Sequence, residues 1–312
     1  MIEIKNVTKR FKDKVVVDDL SVCIQPGVVT GLLGPNGAGK STTLRMILNL
    51  TIPTQGEVTI HGKRYEDLKR PVSEIGAFID SEAFFPRFTA YQHLKCIATA
   101  SGISLDRARM VLQKTGLEKV KDKQIAEFSL GMKQRLGIAA ALLGDPKIII
   151  LDEPFNALDV DGISWLRELI KDLARKGKAV LVSSHLMSEV QMIADRVIVM
   201  AQGKLIADMT IEELSEKSSN GYVKVRSENN RALKNLLEKE GALIQEAGGD
   251  ELQLRKMEME QVGIIAKKHH IAIFELQKIA PSLEELFIEL TAGQADYVSR
   301  GRGDGRNGKH IQ

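Results

Sequence analysis

The residues whose types and spacing most clearly indicate a chemical function run from Gly34 to Thr42, with the sequence Gly-Pro-Asn-Gly-Ala-Gly-Lys-Ser-Thr. Their spacing matches the phosphate-binding pattern G-x-x-x-x-G-K-[ST]. Glycines let backbone N–H groups converge on phosphate oxygens, and the positive end of a following helix adds to the attraction. The alternative is a glycine-rich turn in an ordinary α/β protein. The four filled positions of the pattern, Gly34, Gly39, Lys40 and Ser41, disfavour it.

This pattern also predicts individual roles. Lys40 would reach the β- and γ-phosphates of a nucleotide, and the Ser41 hydroxyl would be one ligand of a Mg²⁺ ion. The residues predicted to bind the nucleotide are Gly34, Pro35, Asn36, Gly37, Ala38, Gly39, Lys40, Ser41 and Thr42.

Two acids, Asp152 and Glu153, follow the aliphatic run 148–151. A continuous aliphatic run is typical of a central parallel strand, because helices cover both of its faces. The acids therefore emerge at the carboxyl end of that strand, where open α/β sheets bind their ligands. We expect Asp152 to hold Mg²⁺ and Glu153 to orient and polarise the water that attacks the γ-phosphate.

Two further side chains could complete the site. His185 closes a polar trio, Ser183-Ser184-His185, after the buried strand 179–182, so its imidazole would point into the nucleotide crevice. Phe11 lies on a predicted antiparallel hairpin formed by residues 2–7 and 15–17. An aromatic ring there fits two interpretations, stacking on an adenine or packing in the core.

The elements that must position these residues follow from hydrophobic periodicity. A buried strand over 28–33 precedes the phosphate loop, and a helix is predicted to start at Thr42. Further strands are predicted at 58–60, 75–79 and 148–151, and a hairpin at 196–207. From residue 89 to about 143 apolar residues recur at helical spacing, which predicts an all-helical insertion.

A second region follows the breaker-rich stretch 216–221. Its pattern predicts β-α-β-β-α-β and then a closing helix over 282–290, so we expect a small, ferredoxin-like α+β domain over 216–292. The low-complexity composition of residues 293–312 predicts a disordered tail. The adjacent histidines His269 and His270 point in different directions in any regular element, and no carboxylate or thiol ligand is suitably spaced nearby, which disfavours a metal site.

Composition sets the broad limits. The chain has 312 residues, 43% hydrophobic and 27% charged, which is ordinary for a soluble protein. No apolar run reaches the length of a membrane span and the opening residues do not resemble a signal peptide, so we expect the cytosol. Only Cys23 and Cys96 are present, and reduced, buried thiols are expected. The net charge of +3 is too small to indicate nucleic acid.

The stretch Ser129 to Arg135, Ser-Leu-Gly-Met-Lys-Gln-Arg, resembles the signature motif of ATP-binding cassette (ABC) ATPases, usually Leu-Ser-Gly-Gly-Gln. The resemblance covers residues 2–208 and includes every landmark above in order. It implies an α/β P-loop NTPase over 1–215, with an antiparallel β subdomain, a helical subdomain at about 89–143 and the small C-terminal α+β domain.

The resemblance also implies roles at the site. The ligand becomes Mg·ATP, residues 34–42 the Walker A loop, Asp152 and Glu153 the Walker B acids and His185 the switch histidine. Phe11 becomes the adenine-stacking position, and Asp159 closes the D-loop 156–159. The signature residues implied to contact the ATP of a partner subunit are Ser129, Gly131 and Met132.

A signature at a helix N-terminus would supply a hydroxyl, an N–H and a positive dipole end to the opposite subunit. The resemblance thus implies a homodimer or a paired ATPase subunit. It also implies separate membrane-spanning chains and a peripheral location on the inner face of the cell membrane. The family usually has glutamine at the position of Asp80, and an acid there must face Mg²⁺ or a cation. An acidic residue at this position, the Ser-Leu-Gly-Met-Lys-Gln-Arg signature and the appended C-terminal domain all resemble the branch that exports bacitracin and lantibiotics. The resemblance therefore implies an antimicrobial peptide, an antibiotic or a lipid-like molecule as cargo.

Three alternatives belong to other classes. Cassette proteins that act on ribosomes or nucleic acid resemble two fused cassettes, whereas this chain has one phosphate loop. Chromosome-organising ATPases insert long coiled coils, and no sustained heptads occur here. A nucleotide-binding regulator without turnover is disfavoured by Glu153.

Overall fold

The structure is a computed structural model that describes residues 1–79, 84–217, 221–247, 251–279 and 283–291. The strands are β1 (Ile2–Phe11), β2 (Lys14–Ile24), β3 (Val29–Leu33), β4 (Gln55–Ile60), β5 (Ile75–Phe78), β6 (Ile148–Asp152), β7 (Ala179–Ser184), β8 (Arg196–Ala201), β9 (Lys204–Thr210), β10 (Tyr222–Ser227), β11 (Leu243–Ala247), β12 (Glu251–Arg255) and β13 (Ile273–Ile279). The α-helices are α1 (Lys40–Ile47), α2 (Pro71–Glu74), α3 (Ala90–Ala100), α4 (Leu105–Lys114), α5 (Leu130–Leu142), α6 (Val160–Arg175), α7 (Met187–Gln191), α8 (Ile211–Lys217), α9 (Asn230–Lys239), α10 (Met259–Lys268) and α11 (Leu283–Thr291).

A six-stranded sheet with the order β5-β6-β7-β3-β8-β9 forms the centre of the molecule. Its first five strands are parallel, and β9 pairs with β8 in the antiparallel sense. The register places Asp152 opposite Ser183 and Leu33 opposite Ser184. The carboxyl ends of β6, β7 and β3 therefore meet at one edge of the sheet, which is where the sequence predicts the site.

The aliphatic run of β6 shows why this sheet is buried on both faces. Ile148 and Ile150 pack in one hydrophobic cluster with α1 and the antiparallel sheet β2-β1-β4. Ile149 and Leu151 pack in another cluster with α3 to α6. Successive side chains of a strand point to opposite faces, so each face of β6 serves a different layer.

Between β5 and β6 the chain carries α3, α4 and α5, in agreement with the helical periodicity. Thr89 starts α3 with a capping box. Its hydroxyl accepts a hydrogen bond from the backbone N–H of Gln92, and the Gln92 side chain accepts one from the backbone N–H of Thr89. These helices share one core with the central sheet. The signature helix α5 is therefore packed directly against the strands that carry the acids.

Two expectations are wrong in detail. Helix α1 begins at Lys40, two residues earlier than predicted from its apolar pattern. The polar Lys40 and Ser41 thus belong to its first turn, where periodicity gives no signal. The thiol of Cys96 is exposed rather than buried, and that of Cys23 is partly exposed; both cysteines are free.

The C-terminal elements run β10-α9-β11-β12-α10-β13, the connectivity of ferredoxin-like folds. Their strands form an antiparallel sheet with the order β11-β12-β10-β13. One face packs on α9 and α10 through a hydrophobic cluster of its own. We propose on this basis that residues 216–292 form an accessory domain beside a unit over 1–215; residues 292–312 lie outside the described part of the chain.

Among the described residues, no helix combines the length and apolar character required to cross a bilayer.

Candidate nucleotide site

The phosphate loop connects the buried end of β3 to the start of α1. Gly39 caps α1 with φ +102°, a left-handed conformation that side chains strongly disfavour. A Cβ added there would also lie 2.8 Å from the carbonyl oxygen of Val16. Glycine is therefore required at this position for both conformation and space. The loop consequently wraps tightly in front of the helix N-terminus, which is the geometry of an anion site.

An open cavity of ≈ 210 Å³ lies over this loop. The structure brings Glu153 into its lining, more than one hundred residues further along the chain. The lining residues are Val16, Pro35, Asn36, Gly37, Gly39, Lys40, Ser41, Thr42 and Glu153. The phosphate loop and the predicted catalytic acid therefore share one cavity.

Lys40 is only 7% exposed, and its ammonium lies against its own loop. Nζ donates to the carbonyl oxygens of Gly34 at 2.6 Å and Pro35 at 3.3 Å. Burial lowers the pKa of Lys40, and the carboxylates of Glu153 and Asp152 partly oppose that shift. A buried cation with only neutral acceptors in contact gains most from an anionic ligand. This chemistry suits a polyphosphate.

The two acids at the end of β6 are fixed by β7. The Ser183 hydroxyl donates to Asp152 Oδ1, and the backbone N–H of Glu153 donates to both Ser183 Oγ and the Ser183 carbonyl oxygen at 3.1 Å. Glu153 has φ +49°, a conformation that costs about 1–2 kcal/mol in a residue with a side chain. Strained backbone of this kind persists only where its surroundings hold it in place.

A contact from the signature helix completes this support. Gln134 on α5 is 3% exposed, and its Nε2 donates to the carbonyl oxygen of Glu153 at 3.1 Å. The peptide groups on both sides of Glu153 are therefore held, one by Ser183 and the other by Gln134. The Glu153 side chain is left to face the cavity.

His185 lies directly against that side chain. Its Nδ1 is 2.7 Å from Glu153 Oε2, and its backbone N–H donates to the same oxygen at 3.3 Å. The two side chains are 51% and 24% exposed respectively, so the pair is open to a ligand. The structure therefore brings His185 and Glu153 together at the ends of neighbouring strands.

The oxygen donors near the cavity fit Mg²⁺. The Ser41 hydroxyl lines the cavity and the Asp152 carboxylate lies at the adjoining strand end, and Mg²⁺ prefers such hard oxygen ligands. No group of three or more His, Cys, Asp or Glu suited to a metal occurs among the described residues. Mg²⁺ commonly takes only one or two protein ligands together with phosphates and water, so this small donor set agrees with it. Asp80 lies outside the described residues.

The signature residues lie elsewhere. Ser129 caps α5 by accepting from the backbone N–H of Met132 at 3.2 Å. A Cβ on Gly131 would lie 2.9 Å from the carbonyl oxygen of Ala157, so the helix start packs closely on the loop 156–159. Asp159 ends that loop by capping α6 through the N–H of Gly162 at 2.9 Å. Ser129, Gly131 and Met132 are absent from the lining of the cavity.

Phe11 is 48% exposed at the end of β1, so the alternative that it packs in the core is wrong. The Lys9 ammonium lies 4.8 Å from the centroid of its ring. Val16, on the paired strand β2, lines the cavity and Phe11 does not.

The region with this geometry also matches known proteins. Residues 17–156 match the family model described as ABC transporter. The chain is 36% identical over 302 residues to the uncharacterized ABC transporter ATP-binding protein YhcH of Bacillus subtilis (strain 168), covering 96% of this chain and 98% of that protein. This chain belongs to the ABC transporter ATP-binding proteins. It is accordingly an ATP-binding subunit and an ATPase.

Two further similarities concern this ABC ATPase. It is 33% identical over 311 residues to the bacitracin transport ATP-binding protein BcrA of Bacillus licheniformis, covering 94% of this chain and 98% of that one. Its fold matches the dimeric structure of a post-hydrolysis state of the ATP-binding cassette MJ0796 bound to ADP and Pi. The TM-score is 0.62 at 27% identity, over 68% of this chain and 99% of that one. Residues 221–284 match a domain of unknown function.

The sequence of this ABC ATPase did not predict the contacts that three residues make at the nucleotide site. Val16 is one β-branched residue in a run of three, so nothing in the pattern distinguishes it. Gln134 had a weak signal, a polar residue two positions before the apolar stretch of α5 that begins at Leu136. Ser183 had a stronger one, because a hydroxyl that ends a buried strand often bonds to a neighbouring strand.

Proposed function

We propose that two cassettes close over Mg·ATP, each site pairing the phosphate loop of one subunit with the signature helix of the other. The observation that carries this proposal is that Lys40 and Glu153 share one cavity, whereas Ser129 and Gly131 of the same chain lie outside its lining. The site within one chain is therefore half of a site. The related cassette bound to ADP and Pi is dimeric, which supports the pairing. The partner is a second copy or a related ATPase subunit.

On the phosphate side, Lys40 would leave its two loop carbonyls and bond to the β- and γ-phosphates. Ser41 and Asp152 would hold Mg²⁺. When bound, Mg²⁺ neutralises charge on the β- and γ-phosphate oxygens. Backbone N–H groups of the phosphate loop would supply the remaining donors.

Glu153 is proposed as the general base. Its carboxylate would take a proton from a water molecule, whose oxygen attacks the γ-phosphorus while the bond to the leaving ADP oxygen breaks. ADP and phosphate are the products. His185 would hold the Glu153 carboxylate through the 2.7 Å contact seen here and donate to the γ-phosphate once ATP is bound.

From the partner, Ser129 would supply its hydroxyl and Gly131 its backbone N–H to the γ-phosphate at the start of α5. Met132, whose own N–H donates to Ser129 Oγ, would contact the same ATP. Asp159, which caps α6 beside Gly131, would carry the contact between the two subunits. Phe11, exposed at the hairpin end, would stack on the adenine ring.

We also propose that separate membrane-spanning subunits bind this cassette on the inner face of the cell membrane. Closure with ATP and opening after hydrolysis would drive export of an antimicrobial peptide, an antibiotic or a lipid-like molecule. Support comes from the bacitracin transport relative, which matches along nearly its whole length. Action on ribosomes or nucleic acid is the alternative, and no observation in the structure favours it.

The change Glu153→Gln tests the proposal. We expect the variant to bind ATP, to form a stable dimer with it, and to hydrolyse it at least about 100-fold more slowly, because the amide cannot accept the proton. Size-exclusion chromatography with and without ATP, together with phosphate release, measures both effects. Glu168→Gln, an exposed acid on α6, is the matched control and should behave like the unaltered protein. A Glu153→Gln variant that turns over normally or stays monomeric with ATP contradicts the proposal.

A further inference from the structure

The closing helix α11 packs on the ATPase unit rather than on the C-terminal sheet. Leu283 and Leu286 are 2% and 5% exposed. They belong to one hydrophobic cluster with Val190 of α7, Val197 of β8 and Leu33, the residue that precedes the phosphate loop. The C-terminal end of the described chain therefore packs in the same hydrophobic cluster as the residue that precedes the phosphate loop.

Two hydrogen bonds join α11 to α7 reciprocally. Glu284 Oε1 accepts from the backbone N–H of Ser188 at 3.0 Å, and Gln191 Oε1 accepts from the backbone N–H of Leu283 at 3.1 Å. Each helix thus satisfies an N-terminal N–H of the other. The first N–H groups of a helix have no partner within it and need an external acceptor.

Helix α7 depends on this contact because its own sequence supplies no cap. Its N-cap position is Leu186, whose side chain has no acceptor, and no side-chain capping bond occurs there. Ser, Thr, Asp or Asn usually fills that position. Glu284, almost one hundred residues later in the chain, provides the missing acceptor.

The capped helix begins two residues after His185. That histidine contacts Glu153 through both its ring and its backbone N–H. On its other side, α7 is held by a bidentate pair between Glu189 and Arg167 of α6, with both bonds at 2.8 Å. Leu186 alone separates the start of α7 from His185.

We propose that Glu284 is a positioning residue for ATP hydrolysis and acts through α7 on His185. The C-terminal domain, through its closing helix, thereby sets the catalytic competence of the ATPase unit without contributing a group to the reaction. This inference rests on the proposed role of His185.

The change Glu284→Ala removes the acceptor and tests the inference. We expect kcat for ATP hydrolysis to fall about three- to tenfold, the effect of losing one helix cap, while KM for ATP stays within about twofold because the phosphate loop is untouched. Glu284→Gln keeps an acceptor oxygen at the same place and should restore most of the rate. Ile288→Ala, an exposed position on the same helix, is the control and should leave the rate unchanged.

The double variant His185→Ala with Glu284→Ala separates positioning from a general structural effect. If Glu284 acts through His185, the double variant hydrolyses ATP as slowly as His185→Ala alone. A further loss in the double variant overturns the inference, as does an unchanged kcat in Glu284→Ala. A normal rate in His185→Ala overturns the proposed role of His185 itself. Hydrogen exchange over residues 185–191 should rise in Glu284→Ala and not in Ile288→Ala.

Discussion

The N-termini of α1 and α5 are both suited to anions, yet their surroundings differ. Helix α1 has Gly39 at its cap, a buried Lys40 beside it and a cavity that also contains Glu153. Helix α5 has the Ser129 hydroxyl as its cap, with an exposed Leu130 next to it. Among the described residues, neither a buried cation nor the cavity over the phosphate loop adjoins the start of α5. In the proposed function, the α1 end holds the triphosphate within its own chain, and the α5 end contributes to the ATP of the partner subunit.

The two ends are nevertheless connected inside one chain. Gln134, on the second turn of α5, bonds to the carbonyl oxygen of Glu153 at 3.1 Å. A shift of α5 toward the ATP of a partner would therefore reach Glu153, the proposed general base of its own subunit. The two helix starts therefore differ in their surroundings, and in the proposed dimer they are two unlike half-sites that the Gln134–Glu153 hydrogen bond connects within one chain.

The largest effects should come from disabling each half-site separately. Lys40→Ala removes the buried ammonium and Ser129→Arg blocks the start of α5, so each variant alone should lose hydrolysis. If the half-sites meet across subunits, mixing equal amounts of the two variants should restore some hydrolysis. Half of the dimers then contain one subunit of each variant, and one of the two nucleotide sites in such a dimer is intact, so about a quarter of all sites are intact.

Phosphate release from the mixture measures this recovery. A mixture that remains as inactive as its components would contradict the pairing of the two half-sites across subunits, because both would then have to act within one subunit. A variant with both changes, mixed with itself, is the control and should stay inactive at every ratio.

An intermediate effect on ATP hydrolysis is expected from removing the hydrogen bond between Gln134 and Glu153. Gln134→Met keeps the length of the side chain and removes its donor, so Glu153 loses one of the bonds that hold its strained backbone. We expect kcat to fall about three- to tenfold, with ATP affinity nearly unchanged. Lys133→Met, one position earlier on α5, is the matched control. Equal losses in both variants would show that disturbing α5, rather than the bond, lowers the rate.

The smallest effect concerns stability. Burial lowers the pKa of Lys40 in the folded state below its unfolded value of 10.5. The charged form of Lys40 therefore reduces the free energy of unfolding at neutral pH. That cost is present below the lowered pKa and disappears as pH rises toward 10.5. Lys40→Met should therefore raise the Tm of the nucleotide-free protein by about 1–3 °C at pH 7, and the gain should shrink in alkaline buffer. A lower Tm at pH 7 would show that the bonds to Gly34 and Pro35 outweigh the burial of charge.

Much of the candidate site could be predicted from local pattern. The glycines and Lys40 form one continuous motif, and Asp152, Glu153 and His185 each follow a buried strand, so strand order places them at one edge. The contacts among them could not be predicted. That Ser183 supports both acids depends on the register of β6 against β7. That Val16 rather than Phe11 lines the cavity depends on how the β1–β2 hairpin lies over the loop.

The linear order of residues by itself determined the family, the phosphate loop, the acids and the strand and helix types, because these follow from residue identity over a few neighbours. Folding in three dimensions decided which groups touch. Gln134 reaches Glu153 and Glu284 caps α7 only because packing of hydrophobic clusters brings distant segments together. Periodicity fixes which face of an element is buried, and it carries no information about the partner that face will meet.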